Sequence, residues 1–225
     1  MSKNALKALV VGASRGIGAE FVRQSIAAGG QVTATARTAQ ALLVLTAMGA
    51  SAVELDVLDE ASIRALAGKV GGGFDQIIVN AGVFGPRSAP LEPPAVDDFN
   101  TVMQTNVLGP MRVIAQLHPA LAVGGKLAVV SSRMGSIGLR ENGGASLYRA
   151  SKAALNSVLK DTAVTLGSQA ICVAFHPGWV RTDMGGAGAD IAVDESVGGM
   201  LKVLATLKPA DTGSFFNCDG TPLAW

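Results

Sequence analysis

Residues 8–18, ALVVGASRGIG, join a short apolar run to a glycine-rich turn and the start of a helix. The apolar run is typical of a buried strand, and the following pattern predicts a helix from Gly16 to Ala28, ended by Gly29-Gly30. The glycines are spaced GxxxGxG, which differs from the GxGxxG of many dinucleotide-binding domains. Glycine permits a tight turn close to a pyrophosphate, and the amides of a helix N-terminus bind phosphate. The stretch therefore predicts a strand–turn–helix unit that binds a dinucleotide.

Strand-like and helix-like segments alternate along the rest of the chain. The other predicted strands are residues 31–36, 52–55, 74–79, 126–131, 170–175 and 214–216. The other predicted helices are at about 39–48, between the third and fourth strands, from the loop 84–94 to about 117, at 147–166 and at 194–207. This order predicts right-handed βαβ units in a Rossmann-type, doubly wound α/β fold, a mostly parallel seven-stranded sheet with helices on both faces. Because no linker interrupts it, we expect residues 1–225 to form one dinucleotide-binding domain with its own substrate loop at about 178–193.

Composition excludes several classes of function. Of the 225 residues, 49% are hydrophobic and 16% charged, whereas charged residues usually make up about 25%. A formal net charge of +1 gives no reason to expect a nucleic acid partner, and no apolar run reaches the roughly 18 residues of a membrane span. The strand-like start leaves no room for a signal peptide, so we expect a cytoplasmic protein. Cys172, Cys218, His118 and His176 form no metal-binding cluster, so no metal is expected.

The end of the second predicted strand indicates which dinucleotide is bound. Many NAD-binding folds place an acidic residue there to bind the ribose 2′-hydroxyl. Here that position is Ala36, followed by Arg37, and Arg15 lies in the glycine-rich turn. Two guanidiniums without a carboxylate suit a 2′-phosphate, so the sequence favours NADP(H).

Tyr148 and Lys152 lie four residues apart in a predicted helix, which places their side chains on the same face. An ammonium beside a phenol favours the phenolate, so Lys152, together with the charge of a bound cofactor, is expected to lower the pKa of Tyr148 from about 10 toward neutrality. Such a tyrosine can exchange a proton with a substrate oxygen. The alternative is an incidental pair on a helix surface.

The glycine-rich turn, Asn80-Ala81-Gly82 after the fourth strand and the YxxxK pattern together resemble the short-chain dehydrogenase/reductase family. Residues 132–137 (SRMGSI), 148–156 (YRASKAALN), 176–186 (HPGWVRTDMGG) and 219–225 (DGTPLAW) resemble its sniffer/C-factor-like carbonyl reductases. The resemblance implies NADPH-dependent hydride transfer between the nicotinamide and a small carbonyl or alcohol substrate, either an aldehyde, a ketone or a quinone. It also implies a homodimer or homotetramer.

The resemblance further implies the roles of individual residues. The catalytic residues would be Asn106, Ser132, Tyr148 and Lys152. Ser132 would bind the carbonyl oxygen, Tyr148 would protonate it, and Lys152 would hold the nicotinamide ribose. The cofactor-binding residues would be Gly12, Ser14, Arg15, Gly16, Ile17, Gly18, Arg37, Asp56, Val57, Asn80, Ala81, Gly82, Tyr148, Lys152, Pro177, Gly178, Val180 and Thr182. Of these, Asp56 and Val57 would contact the adenine, and Asn80 would brace the central strand.

Asn106 lies four residues before Pro110 in the long predicted helix. Because proline has no N–H, the Asn106 carbonyl loses its helical donor and the helix is expected to kink. The resemblance implies that this asparagine binds a water linking Lys152 to solvent. The alternative is that Pro110 only bends the helix.

The identity of the catalytic serine is open. The family pattern SxxG selects Ser132, but the 16 positions from Ser132 to Tyr148 are more than in many family members. The extra residues fall in the loop 139–146, and Ser136, which lies 12 positions before Tyr148, is the alternative.

The loops at the predicted strand ends indicate a mainly apolar substrate pocket, with Phe84, Met134, Leu139, Trp179 and Met184. The nearby Arg133, Arg140 and Arg181 are expected to face water, and His118 and His176 to be structural. Two other classes of function stay open, an NADP(H)-binding sensor or C-factor-like signalling protein with little turnover, and an interaction scaffold.

Overall fold

The computed structural model describes residues 5–225. The expectation that the start of the chain leaves no room for a signal peptide falls partly on residues 1–4, which lie outside this range. Its strands are β1 (Lys7–Val11), β2 (Gln31–Ala36), β3 (Ser51–Glu54), β4 (Phe74–Val79), β5 (Leu121–Val130), β6 (Ala170–His176) and β7 (Ser214–Asn217). Its α-helices are α1 (Gly16–Ala27), α2 (Ala39–Ala47), α3 (Glu60–Val70), α4 (Val96–Met103), α5 (Gly109–Leu117), α6 (Ser146–Leu166) and α7 (Val193–Thr206).

The seven strands form one sheet in the order β3-β2-β1-β4-β5-β6-β7. Every pairing between neighbouring strands is parallel, so the predicted doubly wound α/β sheet is confirmed. The order reverses between β1 and β4, because the chain goes from β1 outward to β3 and then returns to β4. A ligand of such a sheet binds at this switch point, beyond the carboxyl ends of the strands.

Alternate residues of β1 enter two separate cores. Leu9 and Val11 belong to the core that α3, α5 and α6 cover. Ala8 and Val10 belong to the core that α1, α2 and α7 cover. All four side chains are fully buried. The sheet is therefore apolar on both faces, which explains why its strands are continuous apolar runs in the sequence.

Local capping explains where two of the helices begin. The Thr38 side chain accepts a hydrogen bond from Ala41 N at the start of α2, and the Asp59 carboxylate accepts one from Ala61 N at the start of α3. Both side chains satisfy amides that have no partner inside the helix. The loop before each helix is thereby fixed at the carboxyl end of the sheet.

The predicted boundaries agree with the structure to within one residue, except at two places. β5 begins at Leu121 instead of residue 126, and its pairing with β4 shifts register between Phe74 and Gln76. The long helix ending at Leu117 is not continuous, because a π-helical segment, Gln104–Leu108, separates α4 from α5.

The π-helical segment ends two residues before Pro110. Proline provides no N–H for the Asn106 carbonyl. Gly109 N donates to Gln104 O, one residue further back than the acceptor it would have in an α-helix. The expected disturbance of the helix at Asn106 therefore takes the form of a π segment, a feature that often occurs at functional sites.

Candidate active site

The glycine-rich turn leads from β1 into α1 and tolerates no larger side chain at two positions. Gly12 has φ = 82°, and a Cβ there would lie 2.7 Å from Ala81 Cα. A Cβ on Gly18 would lie 2.2 Å from Gly12 O and 2.7 Å from Asn80 Nδ2. Since Cβ atoms do not approach backbone this closely, the turn requires glycine at both positions.

Asn80 links the turn to the neighbouring strand. Its Nδ2 donates to Gly12 O at 2.8 Å, and its main-chain N donates to Val11 O at 2.9 Å. Asn80 therefore joins the ends of β1 and β4. The first amides of α1 face no earlier helical carbonyl, so the turn presents N–H groups suited to an anion.

A cavity of about 480 Å³ lies over this turn. It is lined by most of the residues predicted to bind cofactor: Gly12, Ser14, Arg15, Gly16, Ile17, Arg37, Asp56, Val57, Asn80, Ala81, Gly82, Tyr148, Lys152, Pro177 and Thr182. Three predicted residues are not on its wall. Gly18 lies behind the turn, whereas Gly178 and Val180 line a second, adjoining cavity.

The end of the cavity next to β2 carries positive charge. Arg15, Ala36, Arg37 and Thr38 line it, and the position where an acid would bind a ribose hydroxyl is the buried Ala36. Arg15 Nη1 lies 2.5 Å from Asp183 Oδ2 in an exposed ion pair, which costs little to separate. The glycine cradle, the helix N-terminus and these guanidiniums fit a dinucleotide that carries a 2′-phosphate.

Tyr148 and Lys152 lie at the inner end of the cavity, both buried. Lys152 Nζ is 5.8 Å from the centroid of the Tyr148 ring and donates to Val130 O at 2.9 Å. A Cβ on Gly82 would lie 3.4 Å from Lys152 Nζ and 3.3 Å from Asn106 Oδ1. Because Gly82 has no side chain, the predicted site residues Gly82, Asn106 and Lys152 can lie close together.

The pKa values differ from the expectation. Burial raises the pKa of Tyr148 to about 12, although a hydrogen bond with Ser132 lowers it in part. Burial also lowers the pKa of Lys152 to about 8. In this structure the pKa of Tyr148 moves in the direction opposite to the lowering expected from Lys152 and a bound cofactor, because burial of the phenol is the largest influence on it. Tyr148 is therefore a neutral phenol at ordinary pH.

Asn106 is fully buried behind Gly82 and outside both cavities. Its Oδ1 accepts from Val83 N at 2.8 Å, and its Nδ2 donates to Val83 O and Ser151 Oγ at 2.8 and 2.9 Å. The side chain is occupied in joining the loop after β4 to α6. The predicted water relay through its main-chain carbonyl stays a prediction.

The two candidate serines have different surroundings. Ser132 lines the second cavity together with Tyr148, accepts from Met134 N at 3.1 Å, and lowers the pKa of Tyr148 in part. Ser136 lies on neither cavity wall; its hydroxyl donates to Trp225 O at 3.0 Å and accepts from Leu139 N. The geometry therefore favours Ser132 as the serine that can reach a substrate.

The second cavity, of about 650 Å³, adjoins the first at Tyr148. All five side chains predicted for an apolar pocket line it: Phe84, Met134, Leu139, Trp179 and Met184. Of the nearby arginines, Arg133 is exposed on its wall, Arg140 lies outside it, and Arg181 donates to the carbonyls of Ala189 and Asp190.

Sequence reasoning missed two contacts around Tyr148. The Phe84 ring stacks on the tyrosine ring with centroids 4.5 Å apart. Gly135 packs so closely against α6 that a Cβ would lie 2.7 Å from the Lys152 carbonyl carbon. The SxxG spacing was a signal for the second contact, but no local pattern indicated the first.

His176 is a buried imidazole on the wall of the second cavity. Burial, and then the Arg133 guanidinium, lowers its pKa from 6.5 to about 4. The unfolded chain therefore binds more protons than the folded chain between pH 4 and 6.5, and stability must rise with pH across that window.

We expect the free energy of unfolding to increase by about 3 kcal/mol between pH 4 and pH 6.5 on account of His176. Urea unfolding of the unmutated protein and of His176→Gln over this range measures the contribution. The substitution should flatten the rise, whereas above pH 7 the difference between the two proteins should no longer change with pH through this group. An equal slope in both proteins between pH 4 and 6.5 contradicts the assignment.

Within residues 5–225, no helix is both long and apolar enough to cross a membrane. The same residues contain no cluster of three or more His, Cys, Asp or Glu side chains suited to a metal ion.

Known proteins resemble this chain over nearly its whole length. The short chain dehydrogenase family model matches residues 6–190. The C-signal protein of Myxococcus xanthus is 41% identical over 157 residues, which are 68% of this chain and 94% of that protein.

Two solved structures share the fold closely. The NADPH-bound carbonyl reductase from chicken fatty liver is 36% identical, with a TM-score of 0.88 over 99% of this chain and 100% of that one. The carbonyl reductase Sniffer of D. melanogaster is 28% identical, with a TM-score of 0.90 over the same shares. Both similarities extend over the turn, the strand ends and the helix that carry the residues described above.

Proposed function

The chain belongs to the short-chain dehydrogenase family, in the group of Sniffer and C-signal, and we propose that it reduces the carbonyl group of an aldehyde, ketone or quinone with NADPH. It is an NADP(H)-dependent oxidoreductase of that family. The observation that carries the proposed reaction is the place of Tyr148. Its side chain lies where the first cavity meets the second, apolar cavity, whose wall also carries Ser132.

The first cavity would hold the cofactor through residues of four strand ends. The turn at Gly12–Gly18 would bind the pyrophosphate, Arg15 and Arg37 the 2′-phosphate, and Asp56 and Val57 the adenine. Lys152 would contact the nicotinamide ribose, with Pro177 and Thr182 alongside. When bound, NADPH supplies the hydride that reduces the carbonyl carbon.

The chain itself would supply the proton. Ser132 donates a hydrogen bond to the substrate oxygen and holds it against Tyr148. The tyrosine is protonated at neutral pH and gives its proton to the alkoxide as negative charge develops there. Lys152, whose pKa of about 8 keeps it largely charged at pH 7, lies 5.8 Å from the tyrosine ring and stabilises the phenolate that remains.

Reprotonation of Tyr148 would proceed through Lys152 and Asn106, which lies behind Gly82. Asn106 fixes the loop after β4 against α6, and Pro110 offers its carbonyl no N–H at the position where an α-helix would place the donor. A water on that carbonyl would connect Lys152 to solvent, as in the family. The tyrosine would then recover its proton after each turnover.

In this proposal the loop 178–193 contacts the substrate, as predicted from the sequence. Val180 forms a bridge with Ile191, and Arg181 N donates to Ile191 O. Trp179 Nε1 donates to Gly185 O at 2.9 Å. These contacts fold the loop back on itself beside the apolar cavity, so that Trp179 and Met184 would face substrate. We retain the prediction that residues 1–225 act as one catalytic domain.

Arg37→Asp tests the cofactor assignment. We expect the unmutated protein to bind NADPH more tightly than NADH, and the variant to lose about ten- to hundredfold in NADPH affinity while NADH affinity stays similar or rises. Cofactor fluorescence titration measures both. Arg140→Asp, which makes the same charge change outside both cavities, is the matched control. Equal affinities of the unmutated protein for the two cofactors would refute the 2′-phosphate site.

The activity itself is tested by NADPH oxidation with a panel of aldehydes, ketones and quinones. Turnover that depends on one of these compounds supports the reductase. Tight NADPH binding without turnover on any of them contradicts it and favours a cofactor-binding sensor.

A further inference from the structure

The turn that carries Ser132 is fixed from the helix side. Gly135 N donates to Ser132 O at 2.8 Å, which closes the short 3-10 turn Arg133–Gly135. The same Gly135 packs on α6, where a Cβ would meet the backbone of Lys152 at 2.7 Å. One side of the turn therefore packs directly against α6, the helix that carries Tyr148 and Lys152.

The other side of the turn is attached to Trp225. The main-chain oxygen of Trp225 accepts three hydrogen bonds, from Ile137 N at 3.0 Å, Gly138 N at 3.1 Å and Ser136 Oγ at 3.0 Å. The Ser136 hydroxyl also accepts from Leu139 N at 3.1 Å, and Leu139 lines the apolar cavity. Ser136 itself is fully buried, whereas Ile137 and Trp225 are exposed.

Trp225 is itself fixed to the edge of the sheet. Its ring stacks on Phe215 of β7 with centroids 5.3 Å apart and planes 19° from parallel. Leu223 N donates to Phe215 O at 2.8 Å, and Phe215 is 1% exposed. The segment 223–225 thus connects β7 to the serine turn.

We infer that Trp225 and Ser136 are positioning residues for Ser132 and for the Leu139 wall of the substrate cavity. Ser136 acts through the main-chain oxygen of Trp225 and does not touch substrate. The inference rests on the proposed reductase function. It also accounts for the long interval between Ser132 and Tyr148, because the support restrains the turn before the exposed loop 140–143 begins. A shift of about 1 Å in a reacting group can cost on the order of 100-fold in rate.

The test is a double-mutant cycle with Ser136→Ala and Trp225→Ala. Each variant should lower kcat roughly ten- to hundredfold and leave NADPH affinity unchanged, since the cofactor cavity lies on the other side of Tyr148. The double variant should be no worse than the more severe single one, because both remove the same support. Ser136→Thr, which keeps the hydroxyl, should restore part of kcat.

Hydrogen exchange supplies a measurement that needs no substrate. The amides of Ile137 and Gly138 should lose protection in both single variants, while amides of β1 keep theirs. Ser157→Ala on the exposed side of α6 is the matched control and should change neither kcat nor exchange.

Three outcomes overturn the inference. Ser136→Ala with full loss of turnover beside an active Ser132→Ala would make Ser136 the catalytic serine. Additive losses in the double variant would show that the two residues act separately. Unchanged kcat and unchanged hydrogen exchange in both single variants would show that Ser136 and Trp225 do not hold the serine turn in place. Failure of the proposed function differs from all three, because the unmutated protein would then lack carbonyl-dependent turnover while the exchange effects persisted.

Discussion

Tyr148→Phe is expected to lower kcat for carbonyl reduction by about 10²–10⁴-fold, the usual contribution of a positioned general acid. The substitution removes only the hydroxyl. The phenylalanine ring still stacks on Phe84 and remains buried below the Lys152 side chain, so the fold and both cavities are retained. The loss therefore reports the proton transfer and little else.

Two measurements separate this result from damage to the fold. NADPH affinity by fluorescence titration and the free energy of unfolding in urea should both stay close to those of the unmutated protein. A decrease in kcat of less than about tenfold would contradict the role of Tyr148, whichever serine assists it.

Gly18→Ala is expected to weaken NADPH binding by about ten- to hundredfold. The new methyl group would lie 2.2 Å from Gly12 O and 2.7 Å from Asn80 Nδ2. Relief requires that the turn and Asn80 move apart, at an overpacking cost of about 1–3 kcal/mol. The displaced turn would no longer direct its amides into the cavity, even though Gly18 does not line it.

Gly68→Ala is the matched control for this substitution. Gly68 lies inside α3, and a Cβ there would have no atom of another element within 4 Å among residues 5–225. That variant should keep full NADPH affinity and gain roughly 0.5–1 kcal/mol in stability from helix propensity. Unchanged NADPH binding by Gly18→Ala would contradict the close packing between turn and strand.

The fold was largely predictable because its information is local. The parallel sheet is buried on both faces, so each strand is an apolar run, and glycines or caps mark the ends of the helices. The miss at β5 has a local cause. Gly124 and Gly125 indicate a turn, and Val123 is 99% exposed, so residues 121–125 do not show the pattern of a buried strand although they continue one.

The places of the candidate site residues in the fold were predictable from the sequence, whereas their pKa values and long-range contacts were not. The glycine turn, Asn80 and the tyrosine–lysine pair each stand at a strand end or on a helix face that the chain order defines. The pKa of Tyr148 depends on burial by residues far apart in sequence, among them Phe84, which no spacing rule indicates. The link from Ser136 to Trp225 spans 89 positions and has no local signal.

Because the serine turn is attached on both sides, the loop between this turn and α6 can change without moving the residues that transfer the proton. Leu139 N is held by Ser136, and at the other end Ala145 N donates to Ser88 O. Residues 140–143 lie exposed between these points. Their length and sequence are therefore open to redesign, and a library of grafted segments there should change which carbonyl compounds are accepted while the proton donor and its serine keep their alignment.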